Sequence, residues 1–320
     1  MGQSSHSSLQ RCLLDPYTAA NEIKARAALL GFDLTGVASA RDPLPAGPFD
    51  TWLARGYAGN MDSLARRRQE ILHPPMLLPG ARSVVCCAVS YRPSLELWPL
   101  VGRHPVSCYA WGWDYHLILK DQLRKLAAFI GEILPGSVSR TYVDSGPLLE
   151  KSLALRAGLG FIGKHTLLLN GALGSFLFLG EIVTDADIAT DEVRQEDLCG
   201  DCRKCIDACP TRALVDDRVL DARKCISYRT QRSEPLPGGD ALHGSLWGCD
   251  LCQRACPYNA KAPASRETSF KARPEILGLT PELVVQMPKE ELKARVNGTP
   301  LAEAKPGLLK RNAEYILGRT

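Results

Sequence analysis

No apolar run in this sequence is long enough to cross a bilayer. The longest strand-like stretch, Ser83 to Val89, falls far below the roughly 20 residues that a membrane-spanning helix needs. Met1 to Gln10 is polar and serine-rich with no hydrophobic segment behind it, so a secretory signal is not expected and a cytoplasmic protein without membrane contact is. An excess of one charge is missing too. The 39 Lys and Arg stand against 35 Asp and Glu, a formal net charge of +4, which by itself does not mark a nucleic-acid binder. Basic residues do gather at Arg66, Arg67 and Arg68, and in the tail at Lys289, Lys293, Arg295, Lys305, Lys310, Arg311 and Arg319, where they could meet phosphates or form an ordinary solvated face. There is no internal repeat beyond two groups of cysteines.

At 320 residues and 45% hydrophobic content, the chain can bury a core and form two or three packed units. Tyr17 to Leu30 reads as a helix closed by Gly31, followed by a strand at Phe32 to Ala38 and a proline-rich connection through Pro43, Pro45 and Pro48. Further strands are expected at Ser83 to Tyr91, Arg140 to Val143, His165 to Asn170 and Ser175 to Thr184, with a helix at Leu148 to Ala157. His116 to Leu134 repeats apolar residues at Leu119, Leu123, Leu126, Ile130 and Leu134, the spacing that turns one helical face inward. This is the pattern of a mixed domain, α+β or α/β, over residues 1–190. Through 191–266 the periodicity gives way to cysteines and turns, and 267–320 reads as a short helical tail.

Clustered thiols in a reducing compartment point to metal ligation rather than disulfides. Of twelve cysteines, Cys12, Cys86, Cys87 and Cys108 are scattered, and Cys86 and Cys87 sit in an apolar strand that suggests core packing. The other eight fall between Cys199 and Cys256. Cys199-x2-Cys202-x2-Cys205-x3-Cys209-Pro210 is the bacterial ferredoxin run, in which three thiolates wrap one 4Fe–4S cluster and the fourth reaches a second. Cys249-x2-Cys252-x3-Cys256-Pro257 lacks one of the four, but Cys225 stands upstream. Counting then closes with Cys199, Cys202, Cys205 and Cys256 on one cluster and Cys209, Cys225, Cys249 and Cys252 on the other. Structural zinc and a redox dithiol are the competing readings, and neither needs the third and fourth cysteines at these spacings, twice over. Gly158-Leu159-Gly160-Phe161-Ile162-Gly163 fits G-x-G-x-x-G, but a helix precedes it and a strand follows, the reverse of a dinucleotide fingerprint, so it reads as a tight turn.

A two-cluster module alone is an electron carrier, yet some two hundred residues precede it and carry unusual polar groups. Asp144 ends an apolar strand in Tyr142-Val143-Asp144-Ser145-Gly146-Pro147, a place for a proton donor or for a helix cap, and the residues alone leave both open. Asp114-Tyr115-His116 opens the long helix, and the histidine is expected to pack or face solvent rather than bind a metal.

Tyr142 to Lys151, Ala157 to Lys164, Leu179-Gly180-Glu181-Ile182, Cys225-Ile226-Ser227-Tyr228 and Gly248-Cys249-Asp250-Leu251-Cys252-Gln253 together resemble epoxyqueuosine reductases, in order from about Tyr17 to Lys310-Arg311-Asn312-Ala313. The resemblance implies a nitroreductase-like domain that binds cobalamin, a ferredoxin-like domain with two 4Fe–4S clusters, and reduction of epoxyqueuosine to queuosine at the wobble position of transfer RNA. It places the proton donor on Asp144, in a dry cleft with its pKa raised by burial, and offers Ser107, Lys164, Ser227 and the backbone at Gly248 as corrin contacts. An unidentified electron donor and a monomer complete the expectation. The chain departs from the family pattern at Ile71 and Trp113, where a basic residue is common, and at His165, where asparagine is. Two alternatives remain at this stage: a corrinoid reductase acting on a small molecule, like reductive dehalogenases, and a non-enzymatic electron-transfer protein.

Overall fold

The computed structural model describes residues 14–193, 198–304 and 306–318; Cys12, Lys305 and Arg319 lie outside them. Its strands in chain order are β1 (Leu34–Ser39), β2 (Ser83–Ser90), β3 (Ser139–Tyr142), β4 (Phe161–Ile162), β5 (Leu168–Leu169), β6 (Leu177–Thr184), β7 (Leu214–Asp216) and β8 (Val219–Leu220), the last two forming a small hairpin. Four of them form an antiparallel sheet in the order β1-β2-β6-β3. All eight residues of β2 are buried, because helices cover both faces of the sheet. Val85, Cys87 and Val89 face the long helix Tyr115–Ile133, together with Phe178 and Ile182 of β6. Val84, Cys86 and Ala88 face the opposite side, against Leu153 and Ala154 of the helix Glu150–Arg156. Successive side chains alternate between faces, so the two adjacent thiols enter different cores, where burial pushes both up in pKa and keeps them protonated.

The long helix buries Leu119, Leu123, Leu126 and Ile130, and Asp114 caps it by accepting from the His116 N–H at 3.0 Å. The first helix, Pro16–Leu29, is likewise capped by Asp15, and Gly31 leaves it at φ 97°. Two stretches differ from the sequence reading. The proline-rich connection opens three short helices, Ala46–Ala54, Asp62–Arg66 and Arg68–Leu72, with Pro45 at the first N-cap and Pro48 in its first turn, where a missing N–H has no intrahelical partner to lose. The glycine run is not a single turn, because β4 lies inside it and pairs with the short β5 as a two-stranded hairpin. Gly160 lets that pairing close, since a Cβ there would lie 2.4 Å from the Leu169 carbonyl oxygen.

The tail packs into the molecule instead of standing apart. Ile276, Leu279, Val284, Leu292, Leu301 and Leu309 share a core with Val101, Val106, Trp111 and Phe176 from the first half of the chain. Arg311, read from sequence as a possible phosphate contact, is spent on packing: its guanidinium donates to the carbonyls of Arg229, Arg232 and Glu234 at 2.7–3.0 Å. Beside it, the buried Asn312 amide donates to the Thr230 and Leu246 carbonyls, both at 2.9 Å. Among the described residues, no helix is long and apolar enough to cross a membrane.

Gly36 on β1 has the tightest approach among the described glycines: a Cβ added there would fall 2.0 Å from the Ala157 carbonyl oxygen, a backbone atom that cannot swing aside. Gly36→Ala should therefore lose about 1–3 kcal/mol of stability through overpacking, read as a lower denaturant midpoint with an unchanged slope.

Candidate functional site

Eight thiols line two cavities. Cys199, Cys202, Cys205 and Cys256 surround one of about 320 Å³, and Cys209, Cys225, Cys249 and Cys252 surround another of about 390 Å³. Each quartet takes a cysteine from the other stretch of sequence, so the two are interlocked. Two four-residue helices, Lys204–Asp207 and Leu251–Arg254, carry one cysteine each, and Cys256 and Pro257 begin the helix Pro257–Lys261. Tetrahedral zinc would draw its sulfurs to about 3.8 Å from one another, but among the described residues no three of these sulfurs lie within 4.8 Å of one another. That spacing suits a cube better than a single ion. Burial drives five of the thiols up, Cys205 to about 11 and Cys249 to about 12 with Cys225, Cys252 and Cys256 raised as well, so a cationic centre would be needed to draw those five into the thiolate form. The Ala213 N–H already points at Cys209 Sγ, 3.2 Å away, as it would to a liganding sulfur.

A third cavity, about 510 Å³, shares Tyr109, Lys151, Leu167, Gln231 and Gln253 with the second thiol cavity, so the two adjoin. Leu148, Leu149, Leu177 and Phe178 give it apolar walls, and Asp144, Tyr115 and Glu150 give it a polar edge. Asp144 adopts φ 54°, a conformation that aspartate tolerates better than most residues. It caps no helix, because Leu149 holds the N-cap of the one that follows. Its own N–H donates to Glu150 Oε1 at 2.6 Å, the Tyr115 hydroxyl donates to Oδ2 at 3.2 Å, and His116 Nε2 lies 3.4 Å from the same oxygen.

The expected raised pKa and dry setting of Asp144 are not what the structure has. The His116 hydrogen bond holds the carboxyl below its ordinary value, against the opposing pull of burial, and the side chain is 63% exposed through the cavity mouth. His116 is packed, as expected, with its ring stacked on Tyr115 at 4.0 Å. Burial works against its charge, but Asp114 at 2.8 Å and Asp144 outweigh burial and lift the pKa to about 9. The acids that burial does raise lie underneath. Glu150 is pushed up to about 7 by burial and then by the Asp144 charge. Glu181, fully buried on β6 opposite Cys86 and Tyr142, is pushed up further by burial and by Glu150, and among the described residues no backbone N–H or hydroxyl reaches either of its oxygens. These two carboxyls hold a proton that sequence reasoning had not located. Its signal was there in the charged residue within the apolar run Leu179-Gly180-Glu181-Ile182-Val183.

The proposed corrin contacts are dispersed. Ser107 and Ser227 line the second thiol cavity; the Ser107 hydroxyl donates to Asp250 at 2.5 Å and that of Ser227 accepts from Gln231 at 3.0 Å. Gly248, at φ 69°, lets Ser107 pack against it, since a Cβ would lie 2.6 Å from the serine Cβ. Lys164 is buried and ion-paired with Asp217 at 2.9 Å, and it lines neither adjoining cavity. Of the three departures, Ile71 is core, Trp113 is 51% exposed under the Arg273 guanidinium at 4.2 Å, and His165 is buried between the thiol cavities.

Residues 72–145 match the family profile described as epoxyqueuosine reductase QueG, DUF1730, and residues 198–259 the one described as a 4Fe-4S double cluster binding domain. An epoxyqueuosine reductase of Gloeobacter violaceus is 39% identical over 309 residues, which cover 93% of this chain and 96% of that protein. The chain belongs to the epoxyqueuosine reductase family. Among solved structures, an epoxyqueuosine reductase with a tRNA-Tyr epoxyqueuosine-modified stem loop superposes at a TM-score of 0.86 and 29% identity, over 95% of this chain and 82% of the other. The Bacillus subtilis epoxyqueuosine reductase, with its aspartate-bearing catalytic loop swung out of the active site, gives 0.86 and 28% over the same shares. The mixed α/β fold and the double-cluster domain of this chain are thus those of the epoxyqueuosine reductase family.

The raised His116 pKa makes stability depend on pH in a defined direction. The imidazolium contributes fully below its ordinary value of about 6.5 and loses its contribution as pH rises through about 9. Thermal unfolding should show the wild type more stable than His116→Gln at pH 6, with the gap closing by pH 9.5.

Proposed function

We propose that this chain is an oxidoreductase that reduces epoxyqueuosine to queuosine at the wobble position of transfer RNA. The observation that carries the reading is the shared wall between the Asp144 cavity and the cavity of Cys209, Cys225, Cys249 and Cys252. Electrons held among those thiols would be one partition away from an acid-lined chamber. The family to which the chain belongs and the tRNA stem loop seen with a related reductase support the same substrate.

The thiol quartets suit two 4Fe–4S clusters, and the apolar walls beside Asp144 suit the face of a corrin, with Ser107, Ser227 and the Gly248 backbone near its edge. When bound, cobalamin would pass electrons from the clusters to the epoxide. The protein's own part is proton management. Converting an epoxide to an alkene breaks both C–O bonds, takes up two electrons and two protons, and releases water. Asp144 lines the chamber together with Glu150, and a related reductase of Bacillus subtilis has a catalytic loop that carries an aspartate. Asp144 rests as a carboxylate, so its proton must come from a neighbour, and the His116 imidazolium at 3.4 Å supplies one. Glu150, bonded to the Asp144 backbone, holds a second proton with Glu181. Tyr115 orients the carboxylate between these sources.

The same reading divides the chain into a nitroreductase-like domain (1–190), a ferredoxin-like domain (191–266) and a helical tail (267–320). It makes the protein a cytoplasmic monomer served by an electron donor still to be identified.

Asp144→Asn should keep the turn, since asparagine tolerates the same backbone, and keep the full iron content while turnover is lost. The check is mass analysis of nucleosides after anaerobic incubation of the reconstituted, cobalamin-loaded chain with epoxyqueuosine-containing tRNA. Unchanged nucleoside with the wild type would overturn the assigned reaction, and an active Asn variant would remove Asp144 from it.

A further inference from the structure

His165 is a buried donor with no acceptor among the described residues. The residue is 3% exposed, and its ring packs over Gly163, where a Cβ would lie 2.8 Å from Cε1. Nδ1 accepts the Leu167 N–H at 3.2 Å. A ring nitrogen that accepts carries no proton, so the imidazole is neutral and its single N–H is on Nε2. Burial, with the Lys151 charge adding to it, favours the same neutral form. Nε2 itself has no hydrogen-bond partner among the described residues. An N–H buried without an acceptor is costly, and such a group in a native fold calls for a reason, one of which is an acceptor that a bound group supplies.

The surroundings say what that acceptor is. His165 lines both thiol cavities, with Cys209, Cys225, Cys249 and Cys252 around one and Cys199, Cys202, Cys205 and Cys256 around the other. With the cavities read as cluster sites, sulfur is the acceptor they would bring. We propose that His165 donates its Nε2 proton to a sulfur of one of the two 4Fe–4S clusters and thereby raises the reduction potential of that cluster. The physical reason is that a fixed N–H dipole aimed at a cube stabilises the reduced, more negative state over the oxidised one. His165 is on this account a positioning residue for the electron path. It touches no substrate, and its effect is to set which of the two clusters holds the electron more readily.

The test uses the full chain with both clusters reconstituted, starting with iron and acid-labile sulfide counts on the wild type, His165→Leu and His165→Gln. Reductive titration followed by electron paramagnetic resonance then reads each cluster's midpoint potential. Histidine labelled with nitrogen-15 reports any hyperfine coupling between the ring and a reduced cluster. The wild type should show the coupling. His165→Leu should lose it and shift one midpoint to a more negative potential at full iron content, while His165→Gln, which can present an N–H at nearly the same place, should recover most of the shift. Absence of coupling in the wild type, or wild-type midpoints in a fully loaded Leu variant, would overturn the proposal. A wild-type chain that takes up less than two cubes' worth of iron would overturn the cluster reading beneath it, and the counts reveal that before any potential is measured.

Discussion

The architecture depends on one constraint: two thiol quartets that each borrow a cysteine from the other's stretch of chain. Around the thiols of the region between Cys199 and Cys256 the apolar core is thin: Leu246 and Trp247 belong to the core shared with the tail, and the small cluster beside the first quartet consists of Phe161, Leu169 and Cys256. With so little burial to offset chain entropy, bonds from thiolates to bound metal are what would hold the backbone there. The rest of the molecule closes around that region. Asn259 donates to the Gln253 carbonyl and pairs with Ser175 through both its amide oxygen and its nitrogen. Arg92, buried beside the end of β2, donates to the Asn259 carbonyl at 3.1 Å. Arg311 and Asn312 of the last helix fasten the segment from Arg229 to Leu246. The central sheet and the tail therefore act as two jaws on the thiol region, and this is why the 510 Å³ chamber adjoins a thiol cavity rather than opening elsewhere.

What the sequence made legible was whatever has a short, rigid rule. The spacing of the eight cysteines has one, because the x2 and x3 intervals are set by the turns that bring thiols around a centre. The long helix has one too: Leu119, Leu123, Leu126 and Ile130 recur on one face and all four are buried. Properties that arise from distant residues meeting were not legible. A proline-rich stretch conceals three helices, since proline at an N-cap or in a first turn favours a helix as readily as a loop. Arg311 looks like a phosphate contact until three carbonyls from another segment close on it. Trp113 and His165, seen only as departures from a family pattern, acquire meaning from Arg273 and from the two thiol cavities. A place for Asp144 beside a cleft could be read along the chain, but its charge state could not, because that depends on His116, twenty-eight residues away.

The charge state is the more instructive miss. Three carboxyls, Asp144, Glu150 and Glu181, converge with one imidazole, and a low-dielectric setting does not allow all three to ionise together. The structure resolves the conflict by depth. Asp144, at the open edge and beside an imidazolium, takes the negative charge. Glu181, sealed under the helix Glu150–Arg156, cannot, and Glu150 stands between them at about neutrality. A raised pKa on Asp144 itself would keep one proton ready but leave nothing to replace it. With the charge on Asp144, a proton on the His116 imidazolium 3.4 Å away and another favoured on the glutamate pair behind the Asp144 backbone, the site is arranged to hold two protons, the number that removal of an epoxide oxygen as water requires.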